Sequence, residues 1–342
     1  MSSSLQKILN NINGGSAPVE FRGLAGSSKA LVVSMLSKIS SQSLRGTAPV
    51  VVVCESFDMA EVLLHDIYYY FGKEGVYFFP FWDVLPYDNF SPHKGLTAQR
   101  FQTLDALLNQ QARILITTPN ALMQCFLPRN DFLKNTITLT NEFVGNPDGI
   151  RKQLINSGYI EVDVVEELGE FSTHGGILDV FPLNLEKPVR IEFSENSMVH
   201  FIKPFDIQTQ HTDKTELSSL KILPAGEILF NQENIDFARK RLPEYRKECE
   251  PEVLLRLRQS LQKKEGFPGI ESLSPLFYPE LETLFDYLTD ELILIIDEEK
   301  NVNKRADSFY QEVFMEYEIS TQQNKLTLSP ESLFLTHREL QN

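Results

Sequence analysis

The 342-residue sequence predicts an α/β domain split by a small α+β insertion, on three observations. Short β-branched runs alternate with helical patterns over roughly the first 130 residues, the signature of a mainly parallel sheet layered with helices. Near residue 135 the pattern changes to a two-residue alternation, which suits antiparallel strands with one buried face. Beyond Pro224 helical signals return, and one further apolar run stands near residue 293.

Taken in order, Val50-Val51-Val52-Val53 reads as a buried strand. Met59, Val62, Leu63, Ile67, Tyr70 and Phe71 then place one apolar stripe on a helix that stops at Gly72. Val76 to Phe79 is a second strand, Phe101, Leu104 and Leu108 stripe a second helix, and Ile114-Leu115-Ile116 is a third strand. Order and spacing suit a nucleotide-binding type of sheet. Further on, Ile177-Leu178-Asp179-Val180-Phe181-Pro182 is a candidate strand that ends at a proline. Val189 to Ser194 sends apolar and polar residues to opposite faces, and Glu195-Asn196 turns the chain into Met198 to Ile202, so a hairpin is expected. Pro251 near the start and Gly266 past the end bracket a helix striped by Leu254, Leu257 and Leu261. Glu291 to Glu298 reads as a last buried strand with acids at its exit, placed to rejoin the first sheet. Residues 1–134 and 222–342 are thus expected to be the halves of one α/β domain, and 135–221 the insertion.

Composition narrows the function. With 42% apolar and 23% charged residues the chain has the make-up of an ordinary globular protein. Its longest apolar runs, Val50 to Cys54 and Leu292 to Ile296, fall far below the ~18–20 residues of a membrane span. No secretory leader is visible, and Cys54, Cys125 and Cys249 are too scattered for a disulfide framework or a zinc site, so no membrane and a cytoplasmic location are expected. A net charge of -15 disfavours non-specific binding to phosphate backbones and points to protein partners. Residues 1–50 nevertheless carry five bases against one acid, which keeps a damaged-DNA-binding module as an alternative; residues 271–300 carry nine acids against Lys300, the mark of a solvated acidic surface.

Residues 23–30, Gly-Leu-Ala-Gly-Ser-Ser-Lys-Ala, come close to the phosphate-binding loop G-x-x-x-x-G-K-[ST]. Gly23, Gly26 and Lys29 are compatible with it, but Ser28 stands where a glycine lets backbone N–H groups wrap phosphate, and Ala30 stands where a hydroxyl holds magnesium. Asp297-Glu298, at the exit of an apolar strand, has the form of the acids that bind magnesium and orient water in nucleotide hydrolases. Together they read as a degenerate nucleotide site: an enzyme fold that has lost its chemistry, with no catalytic and no metal-binding residue. Lys29 with Asp297-Glu298 also motivates the competing reading, an active nucleotide-dependent helicase or ATPase. The six histidines show no metal spacing.

Phe81-Trp82-Asp83-Val84-Leu85-Pro86-Tyr87-Asp88-Asn89-Phe90-Ser91-Pro92 resembles a W-x-x-L-P-Y-D-x-F-S-P segment of bacterial transcription-repair coupling factors. Gly169-Glu170-Phe171 through Gly175-Gly176 to Pro182, followed by Pro188 to Phe193, resembles a region those factors share with the repair helicase subunit UvrB. The resemblance runs over nearly the whole chain. It implies a UvrB-like, RecA-like P-loop domain with a degenerate loop, split by an inserted domain that binds the excision-repair protein UvrA. The family's contacts are an arginine in a Thr-Arg-Gly sequence, an arginine on the following strand, and an aromatic residue four positions later. Here His174 occupies the first position, Arg190 matches the second and Ser194 occupies the third; Glu192 shares the strand face of Arg190 and Ser194 by the two-residue period. The resemblance further implies an N-terminal fragment whose longer protein uses ATP and magnesium in downstream motor domains to translocate on DNA and displace a stalled RNA polymerase. UvrA is the partner expected of this segment.

Overall fold

The computed structural model describes residues 18–43, 48–245, 251–289 and 291–340, with the backbone alone at 41–43. Lys7, Arg45 and Cys249 lie outside the described residues. The chain forms two compact units: Met1–Phe81 with Thr103–Met123 and Leu284–Phe309, and Trp82–Gln102 with Gln124–Thr283 and Tyr310–Asn342.

The first unit holds a four-stranded, all-parallel sheet of β1 (Val50–Val53), β2 (Val76–Phe79), β3 (Ile114–Thr117) and β11 (Ile293–Ile296), in the order β11-β1-β3-β2. β1 is central because its four valines are apolar on both pleat faces; all are buried, and each removes from water a side chain worth on the order of 1.5 kcal/mol. The Val50–Ile293 register confirms that the last apolar run rejoins the first sheet. β11 is not the fully buried strand expected: at the sheet edge, Leu294 and Ile296 are 49% and 47% exposed. Helix α1 (Ser28–Ser43) sets Ala30, Val33 and Leu36 into the same core as Val50, Val52 and Ile116. Helix α2 (Phe57–Tyr70) starts where the Ser56 side chain accepts the Met59 N–H, with Asp58 at its positive end, and stops before Gly72 at φ 101°.

In the second unit β4 (Ile137–Thr140) pairs antiparallel with β10 (Ser219–Ile222), so the chain enters and leaves the intervening segment on adjacent strands. That segment carries β5 (Ile160–Glu161), β6 (Glu170–His174), β7 (Ile177–Val180), β8 (Val189–Phe193) and β9 (Val199–Pro204) in sheet order β5-β6-β7-β8-β9. The β8–β9 hairpin is present as the alternation predicts; β6, not expected as a strand, turns back into β7 at Gly175-Gly176, where φ of 62° at Gly175 favours glycine. Phe171, Val180 and Val189, then Leu178, Ile191 and Ile202, line the buried face. The helix predicted after Pro251 runs Pro251–Lys263, but Lys264 (φ 60°), not Gly266, takes the left-handed position at its end. Inside this unit the Trp82 indole and the Arg100 guanidinium both donate to Glu227 Oε1, at 3.1 and 3.0 Å, and Arg100 stacks over Phe126.

Candidate functional site

Two places collect the residues singled out by the sequence, one in each unit. The first lies at the C-terminal ends of the parallel strands, where ligands of open α/β sheets commonly bind. Gly23 and Gly26 adopt positive φ (76° and 54°), and the loop runs into the first turn of α1. Lys29 Nζ reaches Asp297 Oδ1 at 2.7 Å and Glu298 Oε1 at 3.6 Å, so residues 268 positions apart in sequence meet. Asp297 is fixed by donating its own N–H to the Val53 carbonyl, and Glu298 turns back through φ 58°. Burial works against the Lys29 ammonium, but the hydrogen bond and charge of Asp297, helped by Glu298, outweigh it and hold the lysine above its usual pKa. The lysine charge is therefore committed inside the protein. Ser28 turns its N–H and its hydroxyl to the Ala25 carbonyl, at 3.3 and 2.7 Å, which closes the loop on itself. Ala30 is fully buried in the helix–sheet core, where it offers no oxygen. Beside it, burial and then the charge of Asp297 push the Cys54 thiol up to about 12, which leaves it inert as a nucleophile.

The second place is the face of the five-stranded sheet opposite its core. Strand register aligns Ser172, Asp179, Arg190 and Lys203 in one cross-strand row, and His174, Ile177, Glu192 and Phe201 in the next. His174, Arg190 and Glu192 therefore share a face. Arg190 is held from three sides: Nε and Nη2 donate to the two Asp179 oxygens at 2.8 and 2.7 Å, Nη1 donates to the Gln210 carbonyl, and the guanidinium lies 4.9 Å from the Phe205 ring centre. That bidentate bond, opposed by partial burial, raises its pKa further. Ser194 lies one residue past β8 and bonds within the turn, its N–H donating to the Met198 carbonyl and its Oγ accepting the Met198 N–H. His174 Nε2 donates to the Asp163 carbonyl at 3.0 Å. Sequence reasoning missed Asp179, although it is the one charged residue between Leu178 and Val180 in an alternating strand; it also missed Ile177 and Phe201, which a cross-strand register alone reveals.

No helix among the described residues is long and apolar enough to cross a membrane, and no group of three or more His, Cys, Asp or Glu among them could hold a metal ion. Residues 137–227 match the UvrB interaction domain family. The chain is 34% identical over 276 residues to a transcription-repair-coupling factor of Haemophilus influenzae, covering 79% of this chain and 23% of that protein. It is 31% identical over 300 residues to the Escherichia coli protein of the same description (86% and 25%), and 29% identical over 343 residues to that of Myxococcus xanthus (94% and 27%). The chain thus spans about a quarter of the length of the relatives it matches.

Proposed function

This chain belongs to the transcription-repair-coupling factor family, and we propose that it is a UvrA-recruiting module in which an inserted domain, residues 135–221, docks UvrA, while the remainder, 1–134 and 222–342, with its nucleotide-type parallel sheet, serves as scaffold. The observation that carries the proposal is the UvrB interaction domain at 137–227 within a chain that matches coupling factors over most of its length. The side chains offered for the contact are His174, Arg190, Glu192 and Ser194. Arg190 enters as a guanidinium already oriented by Asp179, with two N–H groups left over from its three hydrogen bonds to Asp179 and the Gln210 carbonyl. In this reading the remainder of the longer relatives supplies ATP-driven translocation on DNA and contact with RNA polymerase.

The test is co-elution of the chain with UvrA on gel filtration. A stable complex that excess UvrB displaces supports docking on a UvrB-like surface; absence of co-elution at about 10 μM of each protein, well above a typical specific affinity, refutes it. Arg190→Glu is a poor probe, because it sets a second carboxylate against Asp179; Arg190→Lys, which keeps the charge and loses the fork, is the informative variant.

A second reading, a nucleotide-dependent helicase or ATPase, is favoured by the meeting of Lys29 with Asp297. Our reading of Ser28 and Ala30 makes this segment non-catalytic, without nucleotide or magnesium of its own. Calorimetric titration with ATP and magnesium is expected to give no binding heat, and micromolar magnesium-dependent binding would overturn that reading.

A further inference from the structure

The recognition surface is expected along β8 if the period of the strand alone is considered, through Arg190, Glu192 and Ser194. Along that line Arg190 gives Nε–H and one Nη2–H to Asp179, and Ser194 is tied into the hairpin turn. Glu192 is different: among the described residues its carboxylate forms no hydrogen bond and no ion pair. It is half-buried and stands in register between Ile177 on β7 and Phe201 on β9, both half-buried, with exposed His174 at the β6 end of the same row. The cations of the neighbouring row are engaged with other groups: Arg190 with Asp179, and Lys203 with Glu216 at 3.8 Å and with the Phe201 ring, its Nζ 4.5 Å from the ring centre.

A carboxylate flanked by an aliphatic and an aromatic side chain, half removed from water and without an internal cation, is unfavourable in the free protein and gains most when a partner supplies the missing charge. Protein partners use such a spot through an arginine or lysine, whose methylene stem covers the apolar flanks while its head meets the acid. We propose that the cross-strand row His174, Ile177, Glu192 and Phe201 is the recognition stripe of this domain, and that it receives a basic side chain of UvrA against Glu192 with apolar contact on Ile177 and Phe201. This rests on UvrA docking and makes it specific: the acid leads, the partner residue is a cation, and Phe201 on β9 becomes a determinant of affinity. Charge complementarity chooses the occupant, since Glu192 is the one acid of the row and its carboxylate has no cation paired with it among the described residues.

The experiment is calorimetric titration of UvrA with the full chain as wild type, Glu192→Gln, Glu192→Lys and Phe201→Ser, each variant first checked for an unchanged melting temperature. Glu192→Gln is isosteric and stands in should Glu192→Lys or Phe201→Ser fail to fold. We expect Kd to rise about tenfold for Glu192→Gln and Phe201→Ser and about a hundredfold for Glu192→Lys, as for anchor residues of other interfaces. Raising salt from about 0.05 to 0.5 M is expected to weaken the wild type more than Glu192→Gln, because screening acts on the ion pair that the variant lacks. Wild-type binding with Glu192→Gln and Phe201→Ser both within twofold of it, or tighter binding by Glu192→Lys, overturns the stripe while UvrA docking stands. No binding by the wild type overturns both.

Discussion

Replacing Arg100 by methionine tests how the interior of the second unit is balanced. Arg100 and Glu227 are 1% and 3% exposed and meet at 3.0 Å, and the Trp82 indole donates to the same carboxylate oxygen. Methionine fills much of the arginine volume over Phe126, so the main loss is electrostatic: a buried carboxylate is left with the Trp82 indole as its donor and no cation beside it among the described residues. Removing one partner of a buried pair typically costs about 3–5 kcal/mol. Arg100→Met is therefore expected to lose about 4 kcal/mol. The double variant Arg100→Met/Glu227→Gln, which removes the charge and keeps an acceptor for Trp82, should recover to within about 1–2 kcal/mol of wild type. Trp82 is the one tryptophan in the sequence and belongs to the network itself, so its fluorescence during urea titration reports unfolding of this unit. Equal stability of Arg100→Met and wild type, or a double variant no more stable than Arg100→Met, would refute the reasoning.

Two further predictions concern the turn that clasps the segment after Trp82. Gly269 has φ 82°, and a Cβ there would stand 2.4 Å from the Asp88 carbonyl oxygen, so Gly269→Ala is expected to cost about 2–3 kcal/mol, read as a lower urea midpoint; an unchanged midpoint would show that the backbone gives way freely. Two residues on, burial raises the Glu271 carboxyl to about 7 against the opposing hydrogen bond from the Ser91 hydroxyl, with Lys94 and Glu227 the other charges acting on it. A folded pKa above the unfolded value means that this group's stabilisation is full below about pH 4.5 and fades as pH rises to about 7. Glu271→Gln keeps an acceptor for Ser91 and should remove that slope, gaining about 1–2 kcal/mol on wild type between pH 5 and 8, a figure reduced because the residue is only half-buried. Parallel pH–stability curves for the two proteins would count against it.

How much was legible in advance follows from which interactions are local. Period and capping residues are local, so the valine strand, the helix stopping at Gly72 and the β8–β9 hairpin could be read directly. The exposure of β11 could not, because Leu292 to Ile296 is equally apolar whether one side of the strand is paired or both. In the first site, Lys29 and Asp297 were each recognisable by motif, and their meeting needed the sheet to close. In the second, the two-residue period put Arg190 and Glu192 on one face, but that period runs along a strand and says nothing of the neighbours across it. Asp179, which holds Arg190, and Phe201, which flanks Glu192, were therefore invisible until register was known. Ser194 followed the period in sequence only; the turn claims it once the strand ends.

The pairing of Val50 with Ile293 sets a schedule for synthesis. When β1, β2 and β3 have left the ribosome, three of the four strands of that sheet exist, yet the all-valine strand still lacks the neighbour on one side. At about 5–20 residues per second, the stretch from Thr117 to Ile293 takes roughly 10–35 s to make, long enough for the antiparallel strands within it to pair among themselves first. During that interval one side of the valine strand has N–H and C=O groups without a strand partner, and the arrival of Ile293–Ile296 pairs them and passes the open edge to a strand outside the valine run.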